Sequence, residues 1–152
     1  MLFRSLIYAD ALKVNSRLHE PEVTTLVPII AAKAEIRAVS KKIQRKLGQQ
    51  KNTVMTGRDI GSEIFPDAPL KIFLTATPEV RAKRRFEQLK KIEPNITSEE
   101  VLDQIKERDK MDIERQASPM RIPEGAVIID NSELTVDETV EKILENHVTP
   151  PR

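Results

Sequence analysis

The sequence contains no cysteine, which excludes a disulfide framework, a thiolate nucleophile and a cysteine-ligated metal. Tryptophan is absent too, and aromatic residues make up 3% of the chain, leaving little with which to stack single-stranded bases. No apolar run reaches the roughly 18 residues that a membrane-spanning helix needs. The start, MLFRSLIYADALK, is too short and too interrupted for a secretory signal, so a cytoplasmic location is expected. Charge is nearly balanced: 25 Lys and Arg against 24 Asp and Glu give a net +1. No global field therefore draws the chain to nucleic acid or to an anionic membrane, and any anion recognition must come from local clustering. The two histidines, His19 and His147, lie far apart in sequence and read as surface residues. Glycine is limited to Gly48, Gly57, Gly61 and Gly125, none of them in a GxxxxGK[ST] pattern. That pattern supplies the backbone N–H groups and the lysine that wrap nucleotide phosphates.

What is present suits one soluble domain over residues 1–148, followed by a tail at 149–152. The chain has 152 residues, 39% hydrophobic and 32% charged. A domain of this size buries roughly 70% of its unfolded surface. The apolar spacing Leu2, Leu6, Ala9 and Leu12 predicts a helix over 2–14, although no capping residue precedes it. Residues 17–31 are ambiguous, because Pro21 and Pro28 interrupt the pattern. Ile36, Val39, Ile43 and Leu47 predict an amphipathic helix from 32 to 48, closed by Gly48. Strands are predicted at Thr53–Met55, Leu70–Ala76 and Ala126–Asp130. Thr77-Pro78-Glu79 opens a helix, Thr97 with Glu100 caps another reaching about Gln116, and Thr135 with Glu138 caps the last. Alternating strands and helices imply an α/β fold with a parallel sheet.

Ligands of such sheets bind just past the carboxyl ends of the strands. Arg58-Asp59 stands there, between Gly57 and Gly61, whose lack of a Cβ permits sharp turns and close approach. Arg108, Asp112 and Arg115 fall at i, i+4 and i+7, one stripe of one helix. Two guanidiniums flanking a carboxylate can clamp a phosphate while the acid accepts sugar hydroxyls; the same spacing also makes a plain surface salt-bridge ladder. Arg81, Arg84 and Arg85 share a helix face shortly after a strand and read either as a clamp for a transferring phosphoryl group or as a basic surface. Arg4 and Arg37 sit within apolar helical patterns, where an inward arginine needs an anionic partner.

GRDIG at 57–61, FPDAPLKIFLTATPEVRAKRR at 65–85, IKERDKMDIER at 105–115 and AVIID at 126–130 occur in this order and together resemble bacterial cytidylate (CMP) kinase. The resemblance covers about residues 32–147, with a weaker match of MLFRSL to the helix that follows the family's phosphate loop. It implies a P-loop α/β sandwich of the nucleoside monophosphate kinase type, transferring the ATP γ-phosphoryl group to CMP or dCMP with Mg2+. It implies that Arg4 and Arg58 contact the monophosphate, that Arg37, Asp59 and Arg115 are associated with cytosine, and that Arg108 and Asp112 serve sugar and phosphate. Arg81, Arg84 and Arg85 resemble the stretch leading into the lid over the triphosphate. The implied partners are CMP or dCMP and ATP, with neither nucleic acid nor membrane.

The family places its P-loop and first strand upstream of the helix matching MLFRSL, and its small β-rich insert between residues 13 and 32. The chain is therefore expected to be N-terminally truncated, with the ATP half supplied by an unread upstream segment or by another polypeptide. The missing loop argues against activity of this chain alone. The rival reading is a non-catalytic nucleotide-binding or interaction module derived from such a kinase. An unpaired edge at Thr53–Met55, with Val54, Leu6 and Ile36 uncovered, predicts marginal stability, self-association, or closure of the gap by a rearranged 17–31 segment.

Overall fold

The structure is a computed structural model that describes residues 8–9, 12–13, 20–50 and 53–148. Two short strands, β1 (Tyr8–Ala9) and β2 (Leu12–Lys13), pair antiparallel in the register Tyr8 to Lys13 and Ala9 to Leu12. The helix predicted over 2–14 is thus replaced, at the described positions, by an antiparallel strand pair. A segment without an N-cap has little to hold a first helical turn, and Tyr favours extended pairing. Between 13 and 32, where the family places its β-rich insert and the sequence offers only a Pro-broken segment, residues 21–31 are helical.

That helix, α1 (Pro21–Ala31), begins on Pro21 and holds Pro28 in its last turn. Proline at the first helical position costs nothing, since that N–H has no helical acceptor. Pro28 is buried, and its carbonyl accepts from Ala32 N at 3.1 Å, so the final turn closes despite the missing donor. The prolines that made this segment ambiguous therefore do not break it.

α2 (Ala34–Gly48) is the amphipathic helix that the spacing predicts, and its apolar stripe faces outward. Ile36, Val39, Ile43 and Leu47 are 42%, 61%, 55% and 55% exposed. The inward stripe is the polar one: Arg37 pairs with Asp59, Lys41 lies 3.6 Å from Glu63, and Arg45 Nε donates to the Ile64 carbonyl at 3.0 Å. Gly48 is the last helical residue rather than a terminator beyond it, and a Cβ there would come within 2.5 Å of the Phe65 ring.

Thr53–Met55 is not a strand: it is extended backbone, and Val54 is 91% exposed. Neither parallel strand pairs with it. These are β3 (Ile72–Thr75) and β4 (Val127–Asp130), which pair from Ile72 with Val127 to Thr75 with Asp130. Between the extended segment and β3, residues Ile60–Ile64 form a π-helical turn, with Phe65 N donating to the Ile60 carbonyl at 2.7 Å. Gly57 and Gly61 serve this turn by close packing and not by a left-handed bend. A Cβ on Gly61 would meet Pro123 at 2.9 Å, while Gly125 alone among the glycines has a positive φ, 68°.

α3 (Pro78–Leu89) and α4 (Ser98–Glu114) pack on each other through Ala82, Leu89 and Val101, with Phe86, Leu102 and Ile105 around them. α5 (Val136–Val148) follows β4 and contacts it. Thr77 accepts from Val80 N, and Thr97 with Glu100 forms a reciprocal capping box, as the sequence predicts. Thr135 and Glu138 repeat that exchange before α5, Thr135 N donating to Glu138 at 2.8 Å. No helix among the described residues is long and apolar enough to cross a membrane.

The boxes make stability pH-dependent. Backbone and side-chain hydrogen bonds from Thr97 hold the Glu100 carboxyl below its ordinary value of 4.5, and those from Thr135 do the same for Glu138. A carboxyl lowered by folding contributes stability that is complete above the unfolded value and is lost as pH falls through the folded one. Thermal unfolding should therefore weaken as pH falls below about 4.5, and Glu100→Gln with Glu138→Gln should flatten that limb. An unchanged acid limb in the double variant would show that the boxes do not carry it.

Candidate functional site

α4 carries the densest part of the site. Its capping box fixes where the helix starts, and the helical repeat then sets Arg108, Asp109, Asp112 and Arg115 along one side. Asp112 and Arg115 are only 6% and 5% exposed by side chain. Arg115 Nη1 lies 3.2 Å from Asp112 Oδ1, Arg108 Nε 4.0 Å from Asp112 Oδ2, and Arg58 Nη1 3.4 Å from the same oxygen. Arg58 and Arg108 thus converge on one carboxylate, although 50 positions separate them in sequence.

The other side is built by the turn after the extended segment. Asp59 is 5% exposed and immediately precedes the π-helical turn, where its carbonyl accepts from Glu63 N. Its carboxylate pairs with Arg37 from α2 and lies 4.0 Å from Arg115 Nη2. The result is a continuous alternation of charge: Arg37, Asp59, Arg115, Asp112, Arg58, Asp109 and Arg81, with Arg108 on Asp112. Asp109 closes the chain, its two oxygens 3.1 Å from Arg58 Nη1 and 2.7 Å from Arg81 Nη1.

Sequence reading missed Asp109. The signal was available, because Asp109 lies three residues before Asp112 on the same helix side. Its partners were not readable, since nothing local links 109 to 58 or 81. Of the residues read from sequence, Arg37, Arg58, Asp59, Arg108, Asp112 and Arg115 come together, and Arg81 joins them through Asp109. Arg84 points elsewhere, donating to Asn131 Oδ1 at 3.0 Å and to the Asn131 carbonyl at 2.7 Å. Arg85 contacts Gln88 on its own helix. Arg4 lies outside the described residues.

The cluster is rich in positive charge: five arginines share three aspartates. Burial lowers the Arg37 pKa, and the Arg115 charge lowers it further, against the pull of Glu63 and Asp112. Arg37 Nε, Arg108 Nε and Arg115 Nη2 are buried without a hydrogen-bond acceptor, as is Asp112 Oδ2 without a donor. Outside this cluster, Gln44 Oε1 is the one such side-chain atom among the described residues. Buried polar groups normally find partners. A concentration of unmatched donors beside surplus positive charge is what an anion carrying several acceptors would complete.

The loop after α4 braces the arginines. Arg115 Nε donates to the Ser118 carbonyl at 2.6 Å, Met120 N donates to the Asp112 carbonyl at 2.7 Å, and Ser118 holds a left-handed φ of 52°. Non-glycine residues reach that region at a cost of about 1–2 kcal/mol. Ser118→Gly should therefore keep or slightly raise stability, whereas the β-branched Ser118→Val should lower it by roughly 1–2 kcal/mol. Equal unfolding midpoints for the two variants would contradict the strained geometry.

ATP and Mg2+ are a different matter. No group of three or more metal-ligating side chains occurs among the described residues, and Asp59, Asp109 and Asp112 are each engaged by arginine. The four glycines form no phosphate-wrapping loop. The described residues do not fit a nucleoside triphosphate with its metal.

The family model described as cytidylate kinase matches residues 2–149. Cytidylate kinase from Caldanaerobacter subterraneus subsp. tengcongensis is 43% identical over 139 residues, 91% of this chain and 62% of that protein. Cytidylate kinase from Caldicellulosiruptor bescii is 41% identical over 142 residues, 93% of this chain and 63% of that protein. Cytidylate kinase from Bacteroides thetaiotaomicron is 40% identical over 138 residues, 91% and 60%. The chain thus spans about three fifths of the length of the curated relatives it matches. With the family match running through every element that builds the arginine–aspartate cluster, the chain belongs to the cytidylate kinase family, whose fold is the P-loop nucleoside monophosphate kinase α/β sandwich.

Proposed function

We propose that this chain provides the acceptor side of a cytidylate kinase, binding CMP or dCMP so that the γ-phosphoryl group of ATP can be transferred to its phosphate. The observation that carries this reading is the buried arginine–aspartate network with its unmatched donors. Arg58 is 38% exposed and can swing from Asp109 and Asp112 to an entering phosphate without losing its footing. Arg108 flanks the same position. Arg37, Asp59 and Arg115 form the drier end, suited to the polar edge of a cytosine, with Asp112 placed for sugar hydroxyls. Arg81, held by Asp109 and by the Ala76 carbonyl, borders the phosphate end. Transfer between phosphates is catalysed mainly by positioning and fixed positive charge, which these groups supply on one side only. A cytoplasmic setting goes with this reading.

The absence of a GxxxxGK[ST] pattern from the sequence favours a further statement: this polypeptide alone binds nucleotide without turning it over. Loss of even one preorganised donor to a developing charge costs on the order of a hundredfold or more in rate. In an assay with CMP, ATP and Mg2+, CDP formation should stay at background, while calorimetric titration with CMP alone should show one site. Turnover close to that of an intact relative would contradict the first expectation, and a flat titration the proposed function itself.

A further inference from the structure

We propose, on the reading of the cluster as a monophosphate site, that Asp109 is a positioning residue that stands in for the acceptor phosphate. In the empty site its carboxylate holds Arg58, and an entering phosphate must take Arg58 from it. Asp109 thereby keeps bare anions from filling the site and parks Arg58 where the nucleotide can claim it.

Asp109 lies between two guanidiniums that reach it from different elements. Its Oδ1 is 3.1 Å from Arg58 Nη1, which comes from the loop before the π-helical turn. Its Oδ2 is 2.7 Å from Arg81 Nη1, on α3. Each oxygen thus serves one arginine. With 19% of its side chain exposed, against 5% for Asp59 and 6% for Asp112, Asp109 is the acid of the cluster most open to solvent.

The two arginines are held unequally. Arg81 has a second anchor, its Nε donating at 3.0 Å to the carbonyl of Ala76, just past the end of β3. Arg58 sends both of its side-chain hydrogen bonds from the single atom Nη1, to Asp109 Oδ1 and to Met120 Sδ at 3.4 Å. A thioether is a weak acceptor. Arg58 is therefore the partner that leaves Asp109, and Arg81 the one that stays.

Asp112 is unsuited to this part, although Arg58 also lies near it. It faces the buried Arg115 at 3.2 Å, and giving up that contact would strand a guanidinium away from water. Arg58 and Arg81 are 38% and 32% exposed, so water compensates either of them for a weakened pair.

Charge gives the exchange its effect. A phosphate monoester carries close to two negative charges near neutral pH. Once seated on Arg58 it lies beside Asp109, a like charge, and that repulsion weakens the binding of every anion. CMP offsets it through the Arg37, Asp59 and Arg115 end of the cluster. Inorganic phosphate has no group that reaches there.

Calorimetric titration of the full chain with CMP, cytidine and inorganic phosphate tests this, at low salt because partly exposed charges are screened. Asp109→Asn keeps the shape and removes the charge. It should bind CMP and phosphate at least about threefold more tightly, and cytidine as before. Asp109→Glu, which restores the charge, should return CMP affinity to near its original value. In an Arg58→Ala background the gain from Asp109→Asn should largely vanish. A part played only in holding the fold would instead weaken all three ligands. NMR of the arginine N–H groups in the unsubstituted chain gives a readout that needs no variant. CMP should shift the Arg58 signal while the Arg81 Nε–H stays slow to exchange with water, and cytidine should leave Arg58 unmoved. The proposal is overturned if Asp109→Asn binds CMP no more tightly, if cytidine gains equally, or if CMP frees Arg81 together with Arg58. A chain that binds CMP without these changes loses only the role of Asp109, whereas one that binds no CMP loses the nucleotide site with it.

Discussion

Asp112→Ala is expected to lower stability by about 3–5 kcal/mol, the range for removing one partner of a buried ion pair. Asp112 faces Arg115, Arg58 and Arg108 at 3.2, 3.4 and 4.0 Å. Without it, Arg115, 5% exposed, would keep one carboxylate, Asp59, at 4.0 Å. The cost comes from the uncompensated guanidinium and not from the lost pair as such. Typical domains have only about 5–15 kcal/mol in total, so this loss is a large share of the protein's stability. Inorganic phosphate should restore part of the loss, since an anion in the cluster replaces the missing charge. Urea unfolding with and without phosphate measures both effects. A loss below about 1 kcal/mol would mean that the arginines are better solvated than their burial indicates.

The second large effect concerns the phosphate end. Arg58→Ala should weaken CMP binding roughly tenfold, near the lower end of the 1.5–3 kcal/mol typical of hydrogen bonds to charged groups. The lower end applies because Arg58 is 38% exposed and partly solvated. Affinity for cytidine, which lacks the phosphate, should change little. Arg115→Ala should affect both ligands, and stability as well, which makes Arg58 the cleaner probe. Equal losses for CMP and cytidine in Arg58→Ala would place its role away from the phosphate.

Much of the site was legible because it is written in local spacing. The i, i+4 and i+7 positions of Arg108, Asp112 and Arg115 need only a helix, and Thr97 with Glu100 announces where that helix starts. The α/β class follows similarly from two apolar runs, 72–75 and 127–130, each leading toward a capped helix. The misses are places where long-range partners decide. Periodicity identified α2 but could not say which face looks inward, because the inward anchors, Asp59, Glu63 and the Ile64 carbonyl, lie in a turn whose π-helical form has no local signature. Thr53–Met55 has strand composition but forms only extended backbone, because a strand needs a paired neighbour and the sequence reading had already left this edge unpaired. Pro28 was weighed as a breaker when its position in the last turn of α1 made it tolerable. Asp109 was passed over for the opposite reason: its spacing was plain, and its meaning depended on Arg81 arriving from α3.

The central claim, that the arginine–aspartate cluster is a nucleoside monophosphate site, is tested most directly by paired calorimetric titrations of the full chain with CMP and with cytidine at low and moderate salt. The account predicts one CMP site per chain, binding well above cytidine, with an advantage that shrinks as salt rises and falls about tenfold in Arg58→Ala. No CMP binding, or CMP and cytidine binding equally at every salt concentration, would contradict it.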